Sequence, residues 1–243
     1  MKSFLKIFLL AAAVIVVCSQ AVRAGDAIAC DWTGFYFGAH LGGGFSSTHM
    51  DLHDFGITFN LHPDPGGLSG GGQIGYNLQR GPFVLGLEAD VSGSAMSGSD
   101  QYSSPPGVIG GPSVVASQDI NWFGTLRPRL GYTPIPRLLI YATGGVAYGD
   151  VSYYERKGFP YPATFGPGTD SGLRAGWTVG GGVEYKIARS WSMKAEYLFC
   201  DLGDQSVTAI SSTLFIPLTT TVSTAGFSTE FSVFEVGLNY SFD

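Results

Sequence analysis

Eight stretches of about ten residues dominate this chain, each alternating apolar with small or polar side chains. That period of two marks β-strands. They are Trp32–Phe45, Leu68–Leu78, Phe83–Val91, Ile120–Tyr132, Leu138–Tyr148, Arg174–Lys186, Trp191–Cys200 and Phe231–Phe242. Short connections join the second stretch to the third (Gln79–Pro82), the fourth to the fifth ("TPIPR") and the sixth to the seventh ("IARS"). The other four, Ser46–Gly67, Ser92–Asp119, Gly149–Gly172 and Asp201–Glu230, run to roughly twenty residues or more. Long and short alternate strictly. A compact water-soluble domain rarely holds several long structureless loops. A transmembrane β-barrel has short turns at one end and long loops at the other. Ten residues at about 3.3 Å each, tilted about 40°, rise about 25 Å, the height of an outer-membrane apolar band.

Charge parity tests this. In an up-and-down barrel every second side chain faces lipid. Glu88 and Asp90 share a parity, as do Arg127 and Arg129, Glu184 and Lys186, and Lys194 and Glu196. Their neighbours of opposite parity, such as Leu87, Ala89, Leu126, Leu130, Met193 and Ala195, are apolar. A Lys or Arg facing lipid at mid-depth costs about 2–4 kcal/mol, so the charged set is expected to face inward. A soluble sandwich would explain the parity but not the alternating loops. Aromatic residues gather near the stretch ends. Trp32, Phe35, Tyr76, Phe83, Tyr132, Tyr185, Trp191, Tyr240 and Phe242 lie on the turn side. Phe45, Trp122, Tyr148, Trp177, Phe199 and Phe234 lie on the loop side. Two such belts are expected at the membrane interfaces.

The chain ends on "SVFEVGLNYSFD", a regular strand with no polar tail. In hydrocarbon an open sheet edge leaves backbone groups unsatisfied, so the last strand is expected to pair with the first. The expected fold is all-β: an eight-stranded antiparallel up-and-down transmembrane β-barrel with short periplasmic turns and long extracellular loops.

Composition agrees. Only 13% of the residues are charged, 14% are aromatic and 36 are glycine. Disordered chains are poor in aromatics, and a collagen would show a strict glycine period. The net charge of −6 argues against nucleic acid as a partner. At the N-terminus, Lys2 and Lys6 precede an apolar run from Ile7 to Val17 and then "VRA". This is the order of a secretory signal peptide, with cleavage after Ala24. A spanning helix would need about 20 apolar residues. Residues 1–24 are therefore expected to be removed and 25–243 to form the barrel. Cleavage after Ala29 is the alternative and would leave Cys30 first, as in a lipoprotein. Cys30 would lie on the turn side and Cys200 at the loop end, about 25 Å apart. Bridged Cα atoms lie within about 7 Å, so no intramolecular disulfide is expected.

"WTGFYFGAHLGGGF", "GGGQIGYNLQRGPFVLGLEAD", "FGTLRPRLGY", "LLIYATGGVAYG", "GWTVGGGVEYKI", "WSMKAEYLFCDLG" and "VGLNYSF" occur in that order. Together they resemble the small eight-stranded outer-membrane proteins of alphaproteobacteria, the porin-family or surface-antigen type with an OmpA-like transmembrane barrel. The resemblance covers every strand and none of the long loops. It implies an integral outer-membrane protein with a structural or surface-antigen role. It also implies contact with outer-membrane lipids and lipopolysaccharide. Tyr240 and Phe242 resemble the C-terminal signal read by the outer-membrane assembly machinery, although Asp243 follows where most such chains end on the aromatic residue. Pro128 stands where the family usually carries glycine, and it predicts a bulge or weakened pairing because proline removes a ladder donor.

Four functional candidates follow. By parity the lumen holds Glu88, Asp90, Arg127, Arg129, Glu184, Lys194, Glu196 and Glu235. They form either a structural plug or the lining of a narrow, cation-preferring pore. Glycines of inward parity, among them Gly38, Gly75, Gly86 and Gly182, would leave room for water or permit tight curvature. The histidines are the second candidate. His40 has inward parity, while His49, His53 and His62 lie in the first long connection. Imidazole ligates metals and haem iron, and the resemblance adds haemin binding by some such barrels. The spacing fits no fixed metal motif, and no cofactor is expected. The third is a lipid hydrolase or acyltransferase, which no motif supports. The fourth is the loop surface. "YYERKGFPYPATFGPG" and "AISSTLFIPLTTTVSTAGF" read as strand extensions and exposed loops, or as contacts for a surface ligand.

Overall fold

In a computed structural model, residues 31–54, 57–61, 64–103, 113–158, 168–213 and 219–242 are described. Nine strands form one sheet: β1 (Gly34–Asp54), β2 (Ile57–Leu61), β3 (Gly66–Arg80), β4 (Phe83–Ser103), β5 (Ser113–Ile135), β6 (Leu138–Gly158), β7 (Gly168–Lys186), β8 (Trp191–Thr213) and β9 (Thr219–Ser241). All pairings are antiparallel, and eight strands form a ring that closes between β1 and β9. The closing ladder runs from Tyr36↔Ser241 to Leu52↔Ala225. The expected signal peptide and Cys30 lie outside the described residues.

The ring has the two faces that parity requires. Leu41, Ile74, Leu85, Leu87, Leu130 and Val146 project outward and are exposed. So continuous an apolar surface suits hydrocarbon and not water. The belts form contacts on that face. On the turn side Phe35 meets Tyr76 at 4.7 Å and Trp191 meets Tyr240 at 5.1 Å between ring centroids. On the loop side Trp122 meets Tyr148 at 6.1 Å and Trp177 meets Phe199 at 5.5 Å. Trp32 departs from its expected place in the turn-side belt. It is buried inside the turn-side mouth, where its Nε1–H donates to the Pro136 carbonyl at 3.1 Å.

The long loops need the larger correction. The strands do not stop near ten residues. β5, β8 and β9 reach 23 residues each, and most of the connections expected as loops are strand. The ladder Ser113↔Gly158 through Ile120↔Val151 joins β5 to β6 above the belt, and Thr213↔Thr219 is the last pair of β8 with β9. The physical reason is composition. Residues 219–229 are rich in Thr, and residues 151–154 add Val and two Tyr, types that favour strands while remaining wettable. β2 is an addition, paired with the upper end of β1 from Met50↔Leu61 to Asp54↔Ile57.

At Pro128 the ladder with β4 holds through Leu87↔Pro128. The ladder with β6 lapses between Leu126↔Val146 and Arg129↔Thr143 without changing register. Pairing is thus weakened, with no bulge. The Thr143 hydroxyl donates to the Pro128 carbonyl at 2.9 Å across the gap. Pro128→Val should restore a backbone donor and raise stability by about 1 kcal/mol, the net worth of one hydrogen bond. A higher urea midpoint on unfolding from lipid vesicles is the expected result, and an unchanged or lower midpoint would contradict it.

Candidate functional site

The lumen is built in three layers. The middle layer is charged. Glu88 faces Arg127 across β4–β5, Glu184 faces Lys194 across β7–β8, and Glu196 faces Glu235 across β8–β9. Arg127 is wholly buried at the centre. Its Nη2 donates to Glu88 Oε1 at 2.9 Å and to Asp90 Oδ2 at 2.8 Å, and its Nη1 donates to Glu196 Oε1 at 3.0 Å. Lys194 Nζ bridges Glu88 Oε1 and Glu196 Oε2, each at 3.1 Å. Arg129 Nη2 donates to Glu184 Oε2 at 2.7 Å, and its guanidinium lies over the Tyr141 ring at 4.1 Å. The Tyr36 hydroxyl accepts from Arg129 Nη1 at 3.0 Å and donates to Glu88 Oε2 at 2.5 Å.

A neutral chain extends this layer. Ser192 Oγ donates to Glu184 Oε1 at 2.5 Å, and Asn239 Nδ2 donates to the same oxygen at 2.8 Å. Gln73 Nε2 then donates to Asn239 Oδ1 at 2.6 Å, and Gln73 Oε1 meets His40 Nδ1. The far nitrogen of His40 lies 2.6 Å from Ser92 Oγ and 3.7 Å from Glu235 Oε1. Glu235 is the loosest of the carboxylates, since its Oε1 makes no hydrogen bond.

Apolar layers close both ends. Above the charges, Leu198, Val233, Phe231, Phe123, Met96 and Ile120 form a buried cluster, and Phe123 and Phe231 meet edge to face at 5.2 Å. Below, Trp32, Val84, Leu139 and Tyr141 form another. Lys186 Nζ sits 5.1 Å from the Trp32 ring centre and donates to the Asp31 carbonyl at 2.6 Å. At several inward glycines the missing side chain's space is taken by neighbours. A Cβ on Gly75 would strike the Tyr36 ring, and one on Gly86 would come within 2.8 Å of Arg129 Cγ. Glycine here makes space for the long side chains of the network.

All eight lumen residues singled out by parity, Glu88, Asp90, Arg127, Arg129, Glu184, Lys194, Glu196 and Glu235, are buried together. Parity reasoning missed Tyr36, Tyr141, Gln73 and Asn239, which neutral residue types did not flag. It also missed the upper apolar cap, although Leu198 shares the parity of Lys194, and Val233 that of Glu235. Tyr240 and Phe242 lie on the outer face, stacked with Phe37 at 5.7 and 5.5 Å. His49 and His53 are on β1, opposite Ser228 and Thr58, rather than in a loop, and His62 lies outside the described residues. No group of three or more His, Cys, Asp or Glu side chains is placed to hold a metal among the described residues. Cys200 is buried with its thiol 3.3 Å from Thr178 Oγ1.

Removing one partner of a buried ion cluster strands the others at a cost of about 3–5 kcal/mol. Arg127→Met should therefore lower unfolding stability by about that amount in a urea titration, because three carboxylates lose their shared cation. The lipid-facing neighbour Leu126→Met should cost under about 1.5 kcal/mol. Equal small losses at both positions would show that the cluster is not a satisfied network.

Comparison with known proteins places this architecture. Residues 9–242 match the family model described as an outer membrane protein beta-barrel domain. The 31 kDa outer-membrane immunogenic protein of Brucella melitensis biotype 1 is 35% identical over 243 residues, covering 96% of this chain and 93% of that one. The 22 kDa outer membrane protein of Rhizobium leguminosarum bv. viciae is 30% identical over 172 residues, covering 70% of this chain and 64% of that one. Among solved structures, the outer membrane protein OprG of Pseudomonas aeruginosa shares the fold with a TM-score of 0.50 at 11% identity, covering 88% of this chain and 99% of that one. With a closed antiparallel ring, an apolar outer face and these relatives, the chain belongs to the outer-membrane β-barrel protein family and resides in the outer membrane.

Proposed function

We propose that this protein is a sealed structural barrel that presents its upper strands at the cell surface as an antigen. The observation that carries this reading is the layered lumen, in which a densely ion-paired charge cluster lies between two apolar layers. Water crosses a hydrophobic constriction poorly, and an ion would have to break several charge-assisted hydrogen bonds to pass. The charged residues accordingly serve as a plug that holds strand register, and the pore reading loses its support with the glycine space filled. The Brucella relative's name, an immunogenic outer-membrane protein, supports the surface role. The aromatic pair at the end of the chain, half-buried Tyr240 and exposed Phe242, is the handle for the assembly machinery.

The barrel is read as non-enzymatic: Ser92 and His40 are within hydrogen-bonding distance, but both are buried in the lumen network that also holds Gln73 and Glu235. The refolded, heat-modifiable protein in a planar bilayer should be electrically silent across a voltage ramp, while antibodies to the upper part of β9, residues 219–229, should bind whole cells. Reproducible ionic steps that change in Arg127→Met would overturn the plug, and labelling only after lysis would overturn the surface role.

A further inference from the structure

The lipid-facing wall is dished on one side, across the seam where the ring closes. Leu238 of β9 lies beside Ala39 of β1, and Ala39 lies beside Gly72 of β3. One row higher, Val236 lies beside Leu41, and Leu41 beside Gly70. Met193 of β8 flanks Leu238 on the other side. Large side chains thus stand around a floor of small ones. Ala39 and the main chain at His40, Gly71 and Gly237 form the bottom of a trough of about 640 Å³, and Leu41, Met193, Val236 and Leu238 form its sides. The His40 side chain turns the other way, into the lumen network. The side chains that face the trough are therefore all apolar.

The floor is stiff. A Cβ on Gly71 would strike the Val91 carbonyl oxygen, and one on Gly237 would come within 3.1 Å of the Ala39 carbonyl oxygen. The strands are drawn together at these points. Alanine and glycine also have no side-chain rotamers that could swing in to fill the floor. The belts fix the height of the trough. Below Ala39 and Leu238 come Phe37 and Tyr240, which stack with Phe242 and Trp191 in the turn-side belt. Aromatic belts sit at the level of lipid headgroups. The trough therefore opens just above the turn-side headgroups and runs toward mid-membrane at Leu41 and Val236.

Position selects the occupant. The trough is continuous with the wall that faces hydrocarbon, where no water is available to fill it. Its volume lies in the range of about 300–1,000 Å³ typical of small-molecule sites. Association inside a membrane gains nothing from the hydrophobic effect, so a chain is held only where it touches protein on several sides. A convex wall offers one side, whereas the trough offers a floor and two flanks. In barrels of this kind the short turns face the periplasm, and the leaflet on that side is phospholipid.

We propose that this trough seats one acyl chain of a phospholipid from the turn-side leaflet. The headgroup lies at the cluster of Phe37, Trp191 and Tyr240, and the chain passes over Ala39 toward Leu41 and Val236. Van der Waals contact with a preformed floor supplies the retention.

The test uses the refolded full-length mature protein in nanodiscs of phosphatidylethanolamine and phosphatidylglycerol, with a trace of phosphatidylethanolamine that carries a diazirine in one acyl chain. A diazirine near the ester end should label Phe37 and Tyr240, and one near the chain terminus should label Leu41 and Val236. Leu41 and Val236 should be labelled about fivefold more than Leu126 and Leu130 on the opposite wall, the scale of packing energies inside a membrane. Ala39→Trp fills the floor from outside the lumen network and should abolish that excess. Ala142→Trp, on the far wall, should leave it unchanged. The labelling of the unaltered protein decides the matter even where a variant fails to fold. Equal labelling around the ring, or an excess that survives in folded Ala39→Trp, would overturn the seat. A reversed gradient would mean a lipid of the loop-side leaflet and would overturn its source. Ready oxidation of Leu41→Cys to a dimer, in a chain with Cys30→Ser, would put a second copy over the trough and overturn the proposal.

Discussion

In hydrocarbon, each backbone N–H and C=O must find a partner within the protein, at a cost of several kcal/mol for each one that does not. This requirement governs the molecule. It explains the closing ladder between β1 and β9. It also explains where closure ends. The β7–β8 ladder stops at Trp177↔Asp201, and β1 leaves β3 at Phe45↔Gly66, both beside aromatic residues of the loop-side belt. Above that level water can satisfy backbone groups. The sheet then splits into two leaves, β4–β7 on one side and β8, β9, β1 and β2 on the other. The twelve upper residues of β8 rise roughly 30 Å.

Closure then dictates the interior. A ring of eight strands is just wide enough to be filled by its own side chains. Apolar residues fill the two ends, and the middle holds charges that point at one another. Buried charge clusters are weak evidence for stability, since desolvation offsets much of the attraction. Their stronger effect here is on register. A slip of one residue between β4 and β5 would separate Glu88 from Arg127 and send one of them into lipid. The network therefore opposes each incorrect pairing around the ring.

Much of this was legible in the sequence because a strand's period of two sorts side chains without ambiguity. The parity of Glu88, Arg127, Lys194 and Glu235 placed them inside, and the short turns fixed the order of strands. The misreadings share one cause, which is that residue type was used where only partners could decide. Trp32 was read as belt because it is aromatic and terminal, yet the narrow mouth needs a large side chain to close it. Tyr36 and Tyr141 went unnoticed although their ring faces and hydroxyls complete the coordination of Arg129. The inward glycines read equally well as space for water, because only packing shows that neighbouring side chains use that space. The upper strands looked like loops because hydroxyl-rich, weakly apolar segments form strands only when a partner strand is supplied.

The most direct test of a wall closed in lipid and split above it is residue-resolved amide hydrogen exchange along β7 in nanodiscs. One strand then provides both measurement and control. The account predicts a step at Trp177: amides from Val179 to Tyr185 protected for days, and amides of alternate residues between Gly168 and Gly176 exchanging orders of magnitude faster. Uniform protection from Gly168 to Tyr185 would mean that β7 and β8 pair over their full height, and the split wall would be wrong.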